Sequence, residues 1–170
     1  MTTNRDHRDE TLQPADTGIP HRAALGFAND HAGLGLRQPL LDLLQQHATT
    51  ILDVGVTSAD PVDFPDITQR AVQTILDGKA ERVILACGTG AGACIAANKI
   101  KGIRAAVAHD TYVARQAVEH DDVNVLCIGA WITGPQIALD IVRHFLAASF
   151  SDNENFRRRV QKLAALEDKA

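Results

Sequence analysis

The stretch ILACGTGAGACIAANK, from Ile84 to Lys99, decides the fold of this chain. It opens with an apolar run that is typical of a strand buried on both faces. The run stops at Cys87, and a turn containing three glycines and a threonine follows at once, before residues that we predict to be helical. A strand, a tight turn and a helix in this order indicate part of a βαβ unit. The thiol at the strand end therefore either packs in the core or takes part in a reaction.

The same alternation of strands and helices recurs along the chain. The predicted strands are Ala23–Asn29, Thr49–Gly55, Arg82–Cys87, Ile103–Ala108 and Val123–Gly129. Besides the helix after Cys87, the predicted helices are Leu34–Gln46, Pro65–Leu76, one that opens near Asp110, Gly134–Ala148 and Asn153–Asp168. This alternation implies right-handed crossovers and a parallel sheet covered on both faces. We therefore predict an α/β fold, a Rossmann-like three-layer sandwich with five parallel strands and a C-terminal helix.

Composition narrows the class of protein. The chain has 170 residues, 45% of them hydrophobic and 22% charged, with a net charge of -4. One globular domain accommodates this length, and the absence of a basic field argues against a nucleic-acid partner. No apolar run approaches the ~20 residues of a membrane helix, and the start lacks a signal-peptide pattern. We predict a disordered, polar leader over residues 1–21 and a single domain over 22–170.

Cysteine usage points to a reducing compartment. The chain has three cysteines, an odd number, and no pair of them is spaced like the ligands of a zinc site. We therefore expect a reduced, cytoplasmic protein without a bound metal.

Polar and small residues follow each predicted strand, at the edge where parallel sheets bind ligands. They are Asp30 and His31, the loop Gly55–Asp66, Cys87–Gly92, His109 and Asp110, and Gly129–Gly134.

The CGTGAG segment, Cys87–Gly92, has two interpretations. Its glycines let backbone N–H groups approach an anion at the start of a helix. Its spacing and position differ from the dinucleotide fingerprint, and no Gly-Lys-Ser/Thr follows it as in a Walker loop. The alternative is a plain strand-to-helix turn.

The candidate side chains carry similar alternatives. Cys87 is either a small buried hydrophobe or a thiolate stabilised beside a helix N-terminus. Cys94 and Cys127 lie within elements and are better core candidates. His120 alone could be a solvated helix end, and the dipeptide at His31 is weak evidence on its own.

Taken together, the motifs resemble one family. NDHAG, DFP, CGTGAG, IAANKIKGIRAAV, EHDDVNVLCIGA and FRRRV occur in this order between Ala23 and Leu166. This set is similar to the ribose-5-phosphate isomerase B family, which also contains the galactose-6-phosphate isomerase subunits.

The resemblance implies an aldose–ketose isomerisation through a cis-enediolate, with neither metal nor cofactor. It implies that Cys87 moves a proton between C1 and C2, and that His120, helped by Thr89, opens the sugar ring. It implies that Asp30 and His31 contact hydroxyls or the ring oxygen. The backbone segment expected to hold the enediolate oxygens comprises Gly88, Gly90, Ala91 and Gly92. A homodimer or homotetramer with sites shared between subunits is also implied.

The chain departs from the family pattern around the substrate. Asp121 stands where the family usually has Asn, and Trp131 and Asn155 stand where it usually has Arg. Arg159 is kept, and Phe64 replaces a Tyr of the family. We count Asp121, Trp131 and Arg159 among the candidate substrate-binding residues. The catalytic half is intact, whereas the phosphate half lacks two of three arginines.

Three functions remain open from the sequence. The favoured one is an isomerase of a pentose 5-phosphate or a related small sugar phosphate. The second is an isomerase of an unphosphorylated sugar, with Trp131 stacked on an apolar ring face. The third is a non-catalytic sugar-binding partner subunit, which the retention of Cys87, Thr89 and His120 argues against.

Overall fold

The computed structural model describes residues 18–168, so all but the end of the predicted leader lies outside the described residues. Its strands are β1 (Arg22–Asn29), β2 (Ala48–Asp53), β3 (Val83–Cys87), β4 (Ala105–Val107) and β5 (Val125–Gly129). Its α-helices are α1 (Leu34–His47), α2 (Phe64–Leu76), α3 (Ala91–Ala97), α4 (Thr111–Asp121), α5 (Pro135–Ala147) and α6 (Glu154–Glu167), with a short 3-10 turn at His31–Gly33. The predicted α/β fold is confirmed.

The five strands form one parallel sheet in the order β2-β1-β3-β5-β4. The central strands β3 and β5 are buried throughout, as continuous apolar runs require. Helices α1, α4 and α5 cover one face of the sheet, and α2 and α3 cover the other. Cys87 belongs to the face covered by α2 and α3.

The chain changes direction across the sheet between β1 and β3. From β1 it moves outward to β2, and it then returns past β1 to form β3 on the other side. A crevice opens at the carboxyl ends of two strands where the order reverses in this way. Asp30 and Cys87 lie at the two sides of that crevice.

At the opposite, amino edge of the sheet, two arginines bind the C-terminal end of α5. Arg22 donates to the Leu146 carbonyl at 3.0 Å, and Arg82 donates to the carbonyls of Phe145 and, at 2.8 Å, Ala148. These carbonyls lie at the C-terminal end of α5, where intrahelical donors run out. Burial, followed by the charge of Arg22, lowers the pKa of Arg82 to about 10.

Element boundaries differ from the sequence-based ones for local reasons. Strand β2 stops at Asp53 because Gly55 turns against Asn29, so closely that a Cβ on Gly55 would lie 2.3 Å from the Asn29 amide oxygen. Helix α3 stops at Ala97 because the Asn98 side chain pairs with both backbone groups of Ala105. Within residues 18–168, no helix combines the length and apolarity needed to cross a membrane.

Candidate active site

Cys87 ends β3 with its thiol turned into the loop that follows. The residue is 6% exposed, and its Sγ accepts a hydrogen bond from the Gly90 N–H at 3.0 Å. Gly90 has a φ of +84°, a conformation that glycine adopts without strain. The loop therefore bends back over the sulfur, and the Gly90 N–H is aimed at it.

The loop is fastened to the neighbouring β5–α5 connection. The Ala130 N–H donates to the Cys87 carbonyl at 2.8 Å, and the Trp131 N–H donates to the Gly88 carbonyl at 3.0 Å. Thr89 is exposed at the tip, and its hydroxyl accepts from the Ala91 N–H at 3.3 Å. The thiol and the threonine hydroxyl are thus presented by backbone that two strands hold in place.

Two aromatic rings lie against glycines of this loop. A Cβ on Gly88 would lie 2.9 Å from the Trp131 ring, and one on Gly92 would lie 3.1 Å from the Phe64 ring. Trp131 is 72% exposed, so the face of its ring that does not meet Gly88 is open to a ligand. Phe64 offers no hydroxyl. The loop glycines are therefore needed for aromatic contact as well as for backbone shape.

The end of β1 supplies the other wall of the crevice. The Asp30 carboxylate is buried and accepts from the Gly33 N–H at 2.9 Å. His31 Nδ1 accepts from the Val62 N–H at 3.2 Å, so the neutral imidazole carries its proton on Nε2 and donates from there. Asp30, Phe64 and Cys87 line a small cavity beside the thiol.

Asn29 organises this wall, and the sequence analysis did not single it out. It is 1% exposed, and its amide donates to the carbonyls of Asp30 and Val56, each at 3.0 Å. Arg37 donates to its amide oxygen at 2.9 Å and also pairs with Asp53. The available signal was a lone amide that closes an apolar strand, because such a group must find buried partners.

His120 lies at the other end of the sheet from Cys87 in the same chain. Helix α4 begins after the carboxyl end of β4 and runs about 16 Å back toward the amino ends of the strands. His120 occupies its last turn, four residues before Asn124, whose carbonyl accepts from Val83 at the start of β3. The structure therefore does not bring His120 and Cys87 together within one chain.

An aromatic stack surrounds His120. The Phe156 ring of α6 lies parallel to the imidazole, with centroids 3.9 Å apart and an interplanar angle of 15°. The Arg159 guanidinium lies 5.6 Å from the centroid of the same Phe156 ring. We name His120, Phe156 and Arg159 the amino-edge cluster, and Asp30, His31, Cys87, the loop 88–92 and Trp131 the carboxyl-edge cluster.

Asp121 follows His120 but lines a different feature. It is exposed at an open groove of β4, α4 and α6, whose lining also includes Arg104 and Leu163. The sequence analysis counted Asp121 among the candidate substrate-binding residues, and that role stays a prediction.

The remaining cysteines form a contact of their own. Cys127 is buried, whereas Cys94 is half-buried with its Sγ 3.3 Å from the Ala105 carbonyl oxygen. A hydrogen bond from the Cys127 thiol lowers the pKa of Cys94 to about 7, and the same bond, with burial, raises the pKa of Cys127. Among the described residues, no three metal-ligating side chains gather into a group.

A thiol at the end of a central strand, a glycine loop around it and a sheet of this order define a class of Rossmann-like enzymes. The family model described as Ribose/Galactose Isomerase matches residues 25–163. The chain belongs to this family, so the resemblance seen in the sequence is confirmed. It is accordingly an aldose–ketose isomerase.

The names of the relatives specify two substrates. The D-erythrulose-4-phosphate isomerase of Pectobacterium atrosepticum is 40% identical over 129 residues, 75% of this chain and 84% of that protein. The ribose-5-phosphate isomerase B of Escherichia coli is 32% identical over 145 residues, 85% of this chain and 97% of that protein. The structure of the Clostridium thermocellum ribose-5-phosphate isomerase B superposes with a TM-score of 0.82 at 38% identity, covering 86% of this chain and 98% of that one.

Proposed function

We propose that this isomerase acts on a small sugar phosphate, a pentose 5-phosphate or a related compound, through a cis-enediolate and without metal or cofactor. The observation that carries the proposal is the Cys87 thiol at the strand end, with the Gly90 N–H on its sulfur. The names of the relatives, which specify phosphates of a tetrulose and a pentose, support the substrate class.

Cys87 acts as the base in this proposal. Its thiolate removes the proton from C2 of the aldose and returns it to C1, giving the ketose. Charge builds on the oxygens of C1 and C2 as the proton leaves, and N–H donors already fixed in the Gly88–Gly92 loop stabilise that charge. Thr89, exposed at the loop tip, meets the substrate beside the thiol, and His31 donates from Nε2 to a substrate oxygen.

We propose further that the complete site forms between two copies of the chain, in a homodimer or homotetramer. In one chain the carboxyl-edge and amino-edge clusters lie at opposite ends of the sheet. A second copy would bring its His120 to Cys87 of the first for ring opening, and its Arg159 to the substrate phosphate. The unpaired thiols of Cys87, Cys94 and Cys127 favour a cytoplasmic location.

Mixing two inactive variants tests the shared site. Cys87→Ala removes the base and His120→Asn removes the ring-opening group. When the two are co-expressed, a mixed dimer holds one doubly altered site and one unaltered site. Random assembly should restore about one quarter of the wild-type activity on ribose 5-phosphate.

Each variant expressed alone is the control and should keep about 1% of the wild-type activity or less on this cyclic substrate. If the co-expressed pair forms mixed dimers and is no more active than the single variants, each site is confined to one chain. If the Cys87→Ala protein alone isomerises the sugar, the base assignment fails regardless of assembly.

Trp131 favours a second candidate, an isomerase of an unphosphorylated sugar. Its exposed ring replaces an arginine of the family pattern, and aromatic rings stack on the apolar faces of sugars. The test compares one sugar with and without its phosphate. A preference of about a hundredfold for the phosphorylated form, about 2.7 kcal/mol, contradicts this second candidate.

A further inference from the structure

Phe156 lies in the first turn of α6, half-buried against the end of α4. The resemblance to the family gave this residue no role. Its ring contacts two groups of the amino-edge cluster at once. One face lies parallel to the His120 imidazole, and the ring also attracts the Arg159 guanidinium at 5.6 Å.

The stack fixes the plane of the His120 imidazole, and it leaves the ring edges, which carry the two nitrogens, free of this contact. A parallel contact at 3.9 Å occupies the face of the imidazole, whereas both ring nitrogens lie in the plane and point outward. Proton transfer to or from a sugar ring needs those nitrogens at a defined angle, since small misplacements in catalytic geometry are costly. Phe156 therefore restrains rotation of the imidazole without competing for its protons.

The start of α6 is itself anchored to α4. The Ser151 N–H donates to the Glu119 carbonyl at 2.9 Å, one residue before His120. Asn153 then caps α6 through its side chain, which accepts from the Asn155 N–H at 2.9 Å. Phe156 is thus held in the first turn of a helix whose start is hydrogen-bonded to Glu119, the residue that precedes His120.

Arg159 is exposed, and the described structure gives it a ring contact with Phe156. It lies three residues after Phe156 on the same helix, so the two side chains share a face. A long cationic side chain that is already ordered loses less conformational entropy when it meets an anion.

We propose that Phe156 is a positioning residue that aligns His120 for ring opening and pre-orders Arg159 for the substrate phosphate. This inference rests on the proposed function of the two groups that it aligns. It predicts two separate effects when the ring is lost: a fall in kcat that depends on ring opening, and a rise in KM that does not.

The test uses Phe156→Leu with two substrates. Ribose 5-phosphate closes into a furanose, whereas erythrose 4-phosphate has its O4 blocked by phosphate and cannot close that ring. Phe156→Leu should lower kcat for ribose 5-phosphate about tenfold through the misaligned imidazole. It should raise KM for both substrates about threefold through the less ordered guanidinium, and it should leave kcat for erythrose 4-phosphate near the wild-type value.

Two further variants separate positioning from simple loss of packing. Phe156→Tyr keeps the flat ring and should recover most of the lost kcat on ribose 5-phosphate. Leu166→Ala trims an exposed apolar side chain near the far end of the same helix and should leave the ratio of the two kcat values unchanged. Equal falls in kcat on both substrates, no change on either, or the same ratio shift in Leu166→Ala would overturn the inference.

Failure of the proposed function has a different signature. In that case the wild-type protein itself interconverts neither substrate, or the Cys87→Ala protein keeps the wild-type rate. An active wild type with an inactive Cys87→Ala variant and an unchanged kcat ratio in Phe156→Leu instead rejects the role of Phe156 alone.

Discussion

The carboxyl-edge and amino-edge clusters are held together by different kinds of contact. Around Cys87, backbone hydrogen bonds and glycine contacts fix the reactive group, and the residue itself is buried. Around His120, two side chains on helix ends stack together near the surface. A backbone-built cluster tolerates few substitutions without losing its shape, whereas a stacked cluster tolerates any ring of similar size. Under the proposed function, the rigid cluster carries the proton-transfer step and the adaptable cluster carries ring opening and phosphate binding.

The adaptable part is also where this chain departs from its family. Asn155 and Trp131 both differ in character from the arginines that the resemblance implies for the phosphate side, whereas the loop Cys87–Gly92 keeps its motif. Changes in a stacked, exposed cluster alter contacts worth about 0.5–1.5 kcal/mol each, so they accumulate without loss of the fold.

The largest expected effect comes from removing the thiol. Cys87→Ala should lower kcat by about a thousandfold or more, because no other group takes the proton. Melting temperature and substrate affinity should change little, since a small side chain replaces another small one at the strand end. Steady-state kinetics with a thermal melt checks this, and Cys94→Ala serves as the matched control. Near-normal turnover by Cys87→Ala would remove the thiol from the mechanism.

Removing the ring-opening group should have the next largest effect. His120→Asn should lower kcat/KM for ribose 5-phosphate about a hundredfold, the range of one acid–base contribution. A tetrose 4-phosphate enters in open form, so its kcat/KM should fall less than about threefold. His144→Asn makes the same change on the surface of α5 and should affect neither substrate. Equal losses on both substrates with His120→Asn would contradict the ring-opening role.

A smaller effect is expected at the phosphate. Arg159→Ala should raise KM for a sugar phosphate about tenfold, because a charge-assisted hydrogen bond contributes about 1.5–3 kcal/mol. The rise should shrink in high salt, where exposed charges are screened. Arg157→Ala and Arg158→Ala are matched controls on the same helix. If one of those two raises KM instead of Arg159→Ala, the phosphate is bound from another face of α6.

The smallest effect concerns Cys94 and pH. The pKa of Cys94 in the folded protein is about 7, because Cys127 donates to its sulfur. An acid with a lowered folded pKa stabilises the protein above its unfolded value, about 8.5, and that stabilisation is lost as pH falls through about 7. The melting-temperature gap between wild type and Cys94→Ala should therefore widen from pH 6 to pH 9. Ile95→Ala, beside it on α3, should show a pH-independent gap, and a constant gap for Cys94→Ala would contradict the lowered pKa.

Much of the carboxyl-edge cluster followed from the sequence. Continuous apolar runs predicted the buried strands, and the carboxyl-end rule placed Asp30 and Cys87 at the same edge of the sheet. The end of β2 at Asp53 did not follow, because Asn29 sets it through contacts with distant backbone. Such contacts leave no periodic signal.

The amino-edge cluster was harder to foresee. Phe156 and His120 lie on different helices, and an aromatic residue in a charged helix gives no indication of what it stacks on. One signal was available for His120: a helix between parallel strands must return to the amino edge, so a residue just before β5 lies far from Cys87. The assignments of both clusters to substrate remain predictions.

The two arginines that cap α5 also bear on how the chain folds. Arg22 reaches the carbonyl of a residue 124 positions later, and Arg82 reaches carbonyls 63 and 66 positions later. Closing segments of this length costs conformational entropy, so we expect these contacts to form late in the folding reaction. Contacts that are absent from the transition state govern how fast the native protein unfolds rather than how fast it forms. Arg22 and Arg82 should therefore slow unfolding and lengthen the lifetime of the folded chain.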